Sequence, residues 1–400
     1  MDRGSVDPTR MRIATMPQDG MATRARLGAF YAASFLVVGI QTPFWPVWLA
    51  GRGLDAPEIA LLFAAGIWAK VAATPLIGGL ADRLGQRRRV MVALAALACI
   101  AYAALWPEWN FWGLLWLNLV AGVAQSALMP LGDSITLAAV RGGGFDYGRI
   151  RVWGSLSFII AAVGTGALLG CDSSGAVAGN TVLALVLAAS ALLLVACCWI
   201  PPGSAAAGRA RWAALGRFAA DRRFWLFVAS GAALQSSHQL YYGFGTLYWR
   251  ELGFADPVIG VLWAEGVVAE IVLFWYSARL VARLGPLGLM AAGGIAGVLR
   301  WTFMGIVPGL AAASVVQLLH ALTFGASHLG AMYFMARTVP PGAAASAQSL
   351  YAAISAGLGS GLVMLVAGTL YGAYGGQAYL FMALLSAAGL GGTVTLARRR

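Results

Sequence analysis

Roughly twelve apolar runs occupy this chain, each near the 20 residues that a helix needs to cross a bilayer core. In the first half they lie near 27–49, 58–80, 90–106, 111–139, 152–169 and 178–200. In the second they lie near 224–249, 258–280, 287–307, 310–335, 345–371 and 378–397. Only 10% of residues are charged, against about 25% in an ordinary soluble chain. The pattern specifies an all-α integral membrane protein. The net charge of +12 does not indicate a nucleic-acid partner, because the arginines stand in short clusters between the runs. That placement is an orientation signal.

Arg24 and Arg26, Arg83 to Arg89, Arg141 to Arg151, the connection 201–223, Arg279, Arg283, Arg337 and Arg398 to Arg400 all fall on one side. Arg52 and Arg250 fall on the other, offset by Asp55, Glu58, Glu108, Asp172, Glu251 and Asp256. The arginine-rich side is therefore expected to be cytoplasmic, with both termini there and the protein in the plasma (inner) membrane. Residues 1–26 read as a disordered tail. Residues 201–223 divide two bundles, 27–200 and 224–400. With five arginines, this connection is either partly an amphipathic helix or a solvated linker. Cys99, Cys171, Cys197 and Cys198 have no metal-ligand spacing, so neither metal nor cofactor is expected.

The two halves echo each other. Gly53–Gly85 laid on Gly253–Gly285 without a gap matches Gly53, Pro57, Ile59, Leu62, Ala64, Gly66, Ala69, Leu80, Arg83, Leu84 and Gly85 with identical residues. Six plus six spans in the same orientation is the plan of parallel-repeat transporters, whose bundles rock about a midplane site. Lys70, the only lysine, faces Glu270 in this register. Each lies about 20 Å along its helix, where an ion is expensive.

The segment GGLADRLGQRRR after the second span matches the major facilitator signature through Gly78, Asp82, Arg83, Gly85, Arg87 and Arg88, with Gln86 where a basic residue is usual. Its echo keeps Arg283 and Gly285 but has Ala282 in place of the acid. The strings PFWPVWL, FDYGRIRVWGSLSF, YYGFGTLYW, GVVAEIVLF, LRWTFMG and VQLLHALTFGASHLGAMYF resemble the 3-phenylpropionate transporter family, which is similar to lactose permease-like and nucleoside–proton symporters. The resemblance implies two six-helix bundles in a pseudo-two-fold arrangement and a monomer whose partners are a small solute, a proton and the bilayer. It also implies that spans two and eight meet between the halves and that spans seven and ten line the cavity.

On that basis Lys70 and Glu270 are expected to face a shared cavity, paired when it is closed; the alternative is a permanent structural ion pair. His238, His320 and His328 are all intramembrane and suit proton coupling or anion binding, or else are satisfied core groups. Arg300, His320 and Glu270 resemble the proton-coupling cluster of lactose permease, except that Thr323 stands where that cluster has an acid. Gln125, Gln235, Gln239, Tyr241, Tyr242 and Gln317 either orient a ligand or bond between helices. Glu265, five residues before Glu270, is assigned either to a wet vestibule or to proton access. Asp82, with Arg83, Arg87, Arg149 and Asp133, reads as a cytoplasmic gate.

The favoured reading is a proton-coupled importer of an aromatic carboxylate working by alternating access. A sugar or nucleoside symporter is the alternative. The chain holds no HExxH, no G-x-S-x-G and no Walker motif, which argues against an enzyme or an ATP-driven pump. No appended soluble domain favours a receptor.

Overall fold

The computed structural model describes residues 20–143, 146–171, 178–202, 221–340 and 343–398, and the regular elements among them are all helical. The first half comprises α1 (Gly20–Gly51), α2 (Ala56–Leu84), α3 (Arg87–Ala104), α4 (Phe111–Ser126) continuing into α5 (Leu128–Gly143), α6 (Tyr147–Gly170) and α7 (Ala178–Trp199). The second comprises α8 (Arg222–Ser236), α9 (Gln239–Glu251), α10 (Asp256–Trp275), α11 (Ser277–Ile306), α12 (Leu310–Leu318), α13 (Ser327–Thr338), α14 (Ala344–Ala352), α15 (Ser360–Tyr374) and α16 (Tyr379–Arg398). Nine of the described stretches are long and apolar enough to cross a membrane. One of these, Ser346–Arg398, turns back at a 3₁₀ segment, Gly375–Ala378, and makes two crossings. With α3 and the pair α8–α9, these supply the twelve crossings that the sequence predicts.

Two boundaries differ from expectation. α1 begins at Gly20 rather than Leu27, so 20–26 is helix instead of tail. The Arg26 guanidinium lies over the Trp199 ring at the end of α7, 5.8 Å from its centroid, which ties the first turns down. Most of the 201–223 connection, whose amphipathic reading is thus untouched, lies outside the described residues.

The echo has a backbone cause. Gly53 and Gly253 have φ of 84° and 81°, and Gly85 and Gly285 have 63° and 67°. Only glycine adopts this left-handed region without strain. Each pair closes the same turn twice. The amides of Gly53 and Gly253 donate to the Ala50 and Arg250 carbonyls, and those of Leu54 and Phe254 to the Leu49 and Trp249 carbonyls. Pro57 and Pro257 then open α2 and α10 at positions whose N–H has no helical acceptor.

Several spans break where the sequence pattern runs on. α4 gives way to α5 at Ala127 because Pro130 cannot donate to the Ser126 carbonyl. α8 stops at Ser236; the Ser237 hydroxyl donates to the Leu234 carbonyl, and the His238 ring bonds the Gln235 carbonyl, replacing ladder bonds. Between α12 and α13 the backbone widens into a π-turn, Ala321–Ala326, and a second, Ala353–Gly359, joins α14 to α15. Such turns re-aim side chains.

The halves meet along two antiparallel seams, α6 on α10 and α2 on α15. Both are closed at the arginine-poor end by glycines, against backbone alone in the α6–α10 seam and against the Ala60 methyl and the Ala56 carbonyl in the α2–α15 seam. A Cβ on Gly166 would lie 2.4 Å from the Asp256 carbonyl oxygen, one on Gly260 2.4 Å from that of Ala162, and one on Gly368 2.7 Å from that of Ala56. α2 follows α15 and the π-turn as far as Val71 and Gly357, and hardly touches α14. The cavity between the halves therefore opens at the arginine-rich end. Gly260→Val should leave the helices formed yet force this seam apart; near-parental solute uptake by a variant that melts like the parent would contradict that.

Candidate functional site

α11 carries Arg300 into the core of the second half, where it is wholly buried. Its Nη1 donates to His320 Nδ1 at 3.0 Å and to Thr323 Oγ1 at 3.1 Å, and its Nη2 donates to Gln317 Oε1 at 2.6 Å. The guanidinium also lies over the Tyr241 and Trp301 rings, 4.6 and 4.5 Å from their centroids. Gln317 is fixed in turn, donating to the Tyr241 hydroxyl and the Leu262 carbonyl, both at 2.9 Å. These partners come from α9, α10, α12 and the π-turn, and none is a carboxylate.

Arginine can only donate, so Nδ1 of His320 must accept, and the neutral ring carries its proton on Nε2. That nitrogen faces Glu270 Oε2 at 3.9 Å. The acid absent at Thr323 is thus supplied in space by α10. The π-turn allows this, since Gly325 leaves room for the Glu270 side chain. His238, held at the α8–α9 break, bonds Thr323 Oγ1 through Nε2 at 3.0 Å. Below His320 the rings of Phe324 and His328 stack nearly parallel along one face. Tyr242 stacks on His238 and Trp263.

Lys70 projects from the other half. It shares the interior face of α2 with Phe63, which approaches Gly243 of α9, and with Thr74, which bonds Ser126. Leu61, Leu76 and Leu80 take the outward face. Lys70 is exposed and packs on Gly122, whose missing side chain makes the room. Among the described residues its ammonium has neither hydrogen-bond nor ion-pair partner. The Lys70–Glu270 pair, expected for a closed cavity, is not made in this open form. In the first half, Arg151 of α6 is held over two aromatic rings. Its guanidinium lies 4.0 Å from the Phe35 centroid and 5.4 Å from that of Tyr31.

Gln125 accepts from the Tyr102 hydroxyl at 2.7 Å, and Tyr102 accepts from Gln41 at 2.6 Å, a chain across three spans. The expected gate separates into three parts. Asp82 binds Arg87 through one oxygen, 2.6 Å from Nη2 and 3.0 Å from Nε, and Arg83 is exposed beside it. Asp133 belongs to another cluster, accepting from the Tyr31 hydroxyl at 2.5 Å and the Tyr147 hydroxyl at 3.0 Å. Arg149 is directed into a groove between α1 and α6. One helical turn cannot aim both Arg149 and Arg151 inward, and Arg151 has that position. Glu265 lies in an apolar groove between α10 and α12, on the stripe of half-exposed Val261, Val268 and Val272, so it looks outward rather than into a vestibule.

Comparison with known proteins places this fold. A family profile described as "MFS_1 like family" matches residues 25–383. The chain belongs to that family. It is 33% identical to a protein of Escherichia coli (strain K12) named "Probable 3-phenylpropionic acid transporter", over 89% of this chain and 93% of the relative. It is 27% identical to "Maltose permease" of Geobacillus stearothermophilus, over 92% and 93%. The crystal structure of the nucleoside transporter NupG superposes with a TM-score of 0.82 at 18% identity, covering 94% of this chain and 99% of that one. The protein is accordingly a multi-pass major facilitator transporter and not an enzyme.

Within this family member the Arg300 cluster and Lys70 should respond oppositely to substitution. Gln317→Leu strands a buried charged donor, which costs about 2–3 kcal/mol and should lower the melting temperature in detergent by roughly 2–4 °C. Lys70→Met removes no bond and should leave the melt unchanged or raised. Tryptophan fluorescence on heating reads both.

Proposed function

We propose that this transporter imports a small aromatic carboxylate together with a proton, by alternating access. The observation that carries the reading is the Lys70 ammonium, deep in the first half, exposed to the cavity and unpaired among the described residues. A charge in that position is costly without a counter-ion, and a carboxylate solute provides one. The rings of Phe324, His328 and Tyr242 offer stacking faces for an aryl group. The name of the Escherichia coli relative describes such a solute.

Proton coupling is assigned to Glu270 and His320. A proton added to His320 Nδ1 would set two donors face to face at Arg300, so a protonated ring must leave Arg300 and close about an ångström onto Glu270. One proton therefore selects between two arrangements of α10 and the π-turn. We assign the arginine-rich end to the cytoplasm, which makes the present form inward-open. Asp82 and Arg87 gate that end. A neutral sugar or nucleoside is the second reading, favoured by the Gln41–Tyr102–Gln125 chain and by the maltose permease relative.

Proteoliposomes with an imposed pH gradient, offered phenylpropionate, benzoate, lactose and uridine, test this. Phenylpropionate should drive proton influx, and Lys70→Ala should raise its KM about 10- to 100-fold. Uridine-driven influx with phenylpropionate inert would decide for the second reading. Glu270→Gln should abolish accumulation while retaining exchange of labelled for unlabelled solute. Loss of both activities in a well-folded variant, or loss of neither, would remove Glu270 from coupling. Asp82→Asn should slow uptake severely; a normal rate would exclude the gate.

A further inference from the structure

Glu265, turned away from the transport cavity, belongs to a site of its own. It lines a groove of about 900 Å³ between α10 and α12. Val261, Val268 and Val272, all half-exposed, continue its stripe on α10, and half-exposed Leu318 stands across from them on α12. The floor is shallow in side chain, made by Ala269 and the buried Ala321.

The groove opens to the membrane. Five residues turn a helix by about 140°, so Glu265 and Glu270 point to different sides of α10. Glu270 has the side that faces His320, and Glu265 has the side of the exposed valines. Glu265 also stands about 14 Å along α10 from its first residue, Asp256. That depth is hydrocarbon, below the reach of a phospholipid headgroup.

The polar groups at this depth are unmet. Among the described residues the Glu265 carboxyl has neither hydrogen-bond nor ion-pair partner, and the Ser314 hydroxyl, which lines the groove from α12, makes no hydrogen bond. The remaining polar lining residue, Tyr276, closes the far end, with the Arg279 guanidinium 5.6 Å from its ring centroid.

A carboxylate in hydrocarbon is costly without a counter-ion. Acyl chains of the surrounding lipid would cover the valine stripe and leave Glu265 unmet. A cation with an apolar body satisfies both. An ammonium pairs with the carboxylate directly; a neutral amine takes the proton from the Glu265 carboxyl, and the same ion pair results. Arg279 sets the direction, because it repels a second cation from the Tyr276 end. Between Glu265 and Tyr276 the groove runs about 16 Å, comparable with an extended dodecyl chain.

We propose that this groove binds a lipophilic amine, its ammonium on Glu265 and its chain along Val268 and Val272 towards Tyr276. The binding depends neither on the transported solute nor on the orientation proposed above.

Labelled dodecylamine is the probe, with full-length protein in phosphatidylcholine nanodiscs and empty discs as background. Binding above background should saturate. Glu265→Gln should weaken it about 10- to 30-fold, whereas Glu108→Gln, an exposed acid on the other half, should bind like the parent. Val268→Trp, which fills the groove and leaves the carboxyl in place, should abolish it. Dodecanol, which offers the chain without the charge, should compete poorly. Non-saturable binding by the parent, or equal binding by the two Glu→Gln variants, would overturn the proposal. So would dodecanol competing as well as unlabelled dodecylamine, since the groove would then hold any acyl chain. A dimer of the parent that Val268→Trp dissociates would assign the groove to a second copy and overturn it too. Should Glu265→Gln not fold, the dodecanol comparison on the parent decides.

Discussion

A guanidinium sealed inside a helical bundle needs partners for its donors, and at Arg300 both terminal nitrogens are met while the buried Nε is left without a hydrogen-bond acceptor. Its partners are neutral acceptors and ring faces, so its charge stays uncancelled in the core. Each acceptor is then constrained. Gln317 is held on both sides, His320 is held in one tautomer, and Thr323 is placed between Arg300 and His238. The break at Ser237–His238 and the π-turn at Ala321–Ala326 are the backbone adjustments that bring these side chains together. Glu270 approaches the result from outside the cluster, through His320 alone.

The first half is built differently. Its polar groups form short separate chains, Gln41–Tyr102–Gln125 and Tyr31–Asp133–Tyr147, with Arg151 over the Tyr31 ring. Lys70 belongs to neither. Duplicated scaffolding thus carries unequal loads: one half holds an interlocked charge, and the other presents a loose one to the space between them.

What could be read from the chain follows from the range of each interaction. Span number, the repeat and its glycines are local, and they survive intact; the left-handed φ values at Gly53, Gly85, Gly253 and Gly285 explain why those identities recur at a fixed offset. The grouping of Arg300, His320 and Glu270 was legible through family resemblance. Lys70 and Glu270 align in the repeat register, and the pair expected of the closed cavity is not made in this open form. Arg149 and Arg151 look alike in sequence and part company because a helix turns 100° per residue. The π-turn carries no marker in the apolar pattern, so the backbone change that lets Glu270 come within reach of His320 could not be read from it.

The glycine seams have a consequence for the transport cycle. Where Gly166 and Gly260 press on the carbonyls of Asp256 and Ala162, the closed end of the α6–α10 seam holds peptide groups against one another with no side chain between. Parting them exposes that backbone, and water must enter to solvate it. Opening at this end is therefore a wetting event as much as a rotation. Under the alternating-access cycle proposed above, solutes that lower water activity should hold the seam shut, so osmotic pressure would brake the half of the cycle that faces away from the arginines.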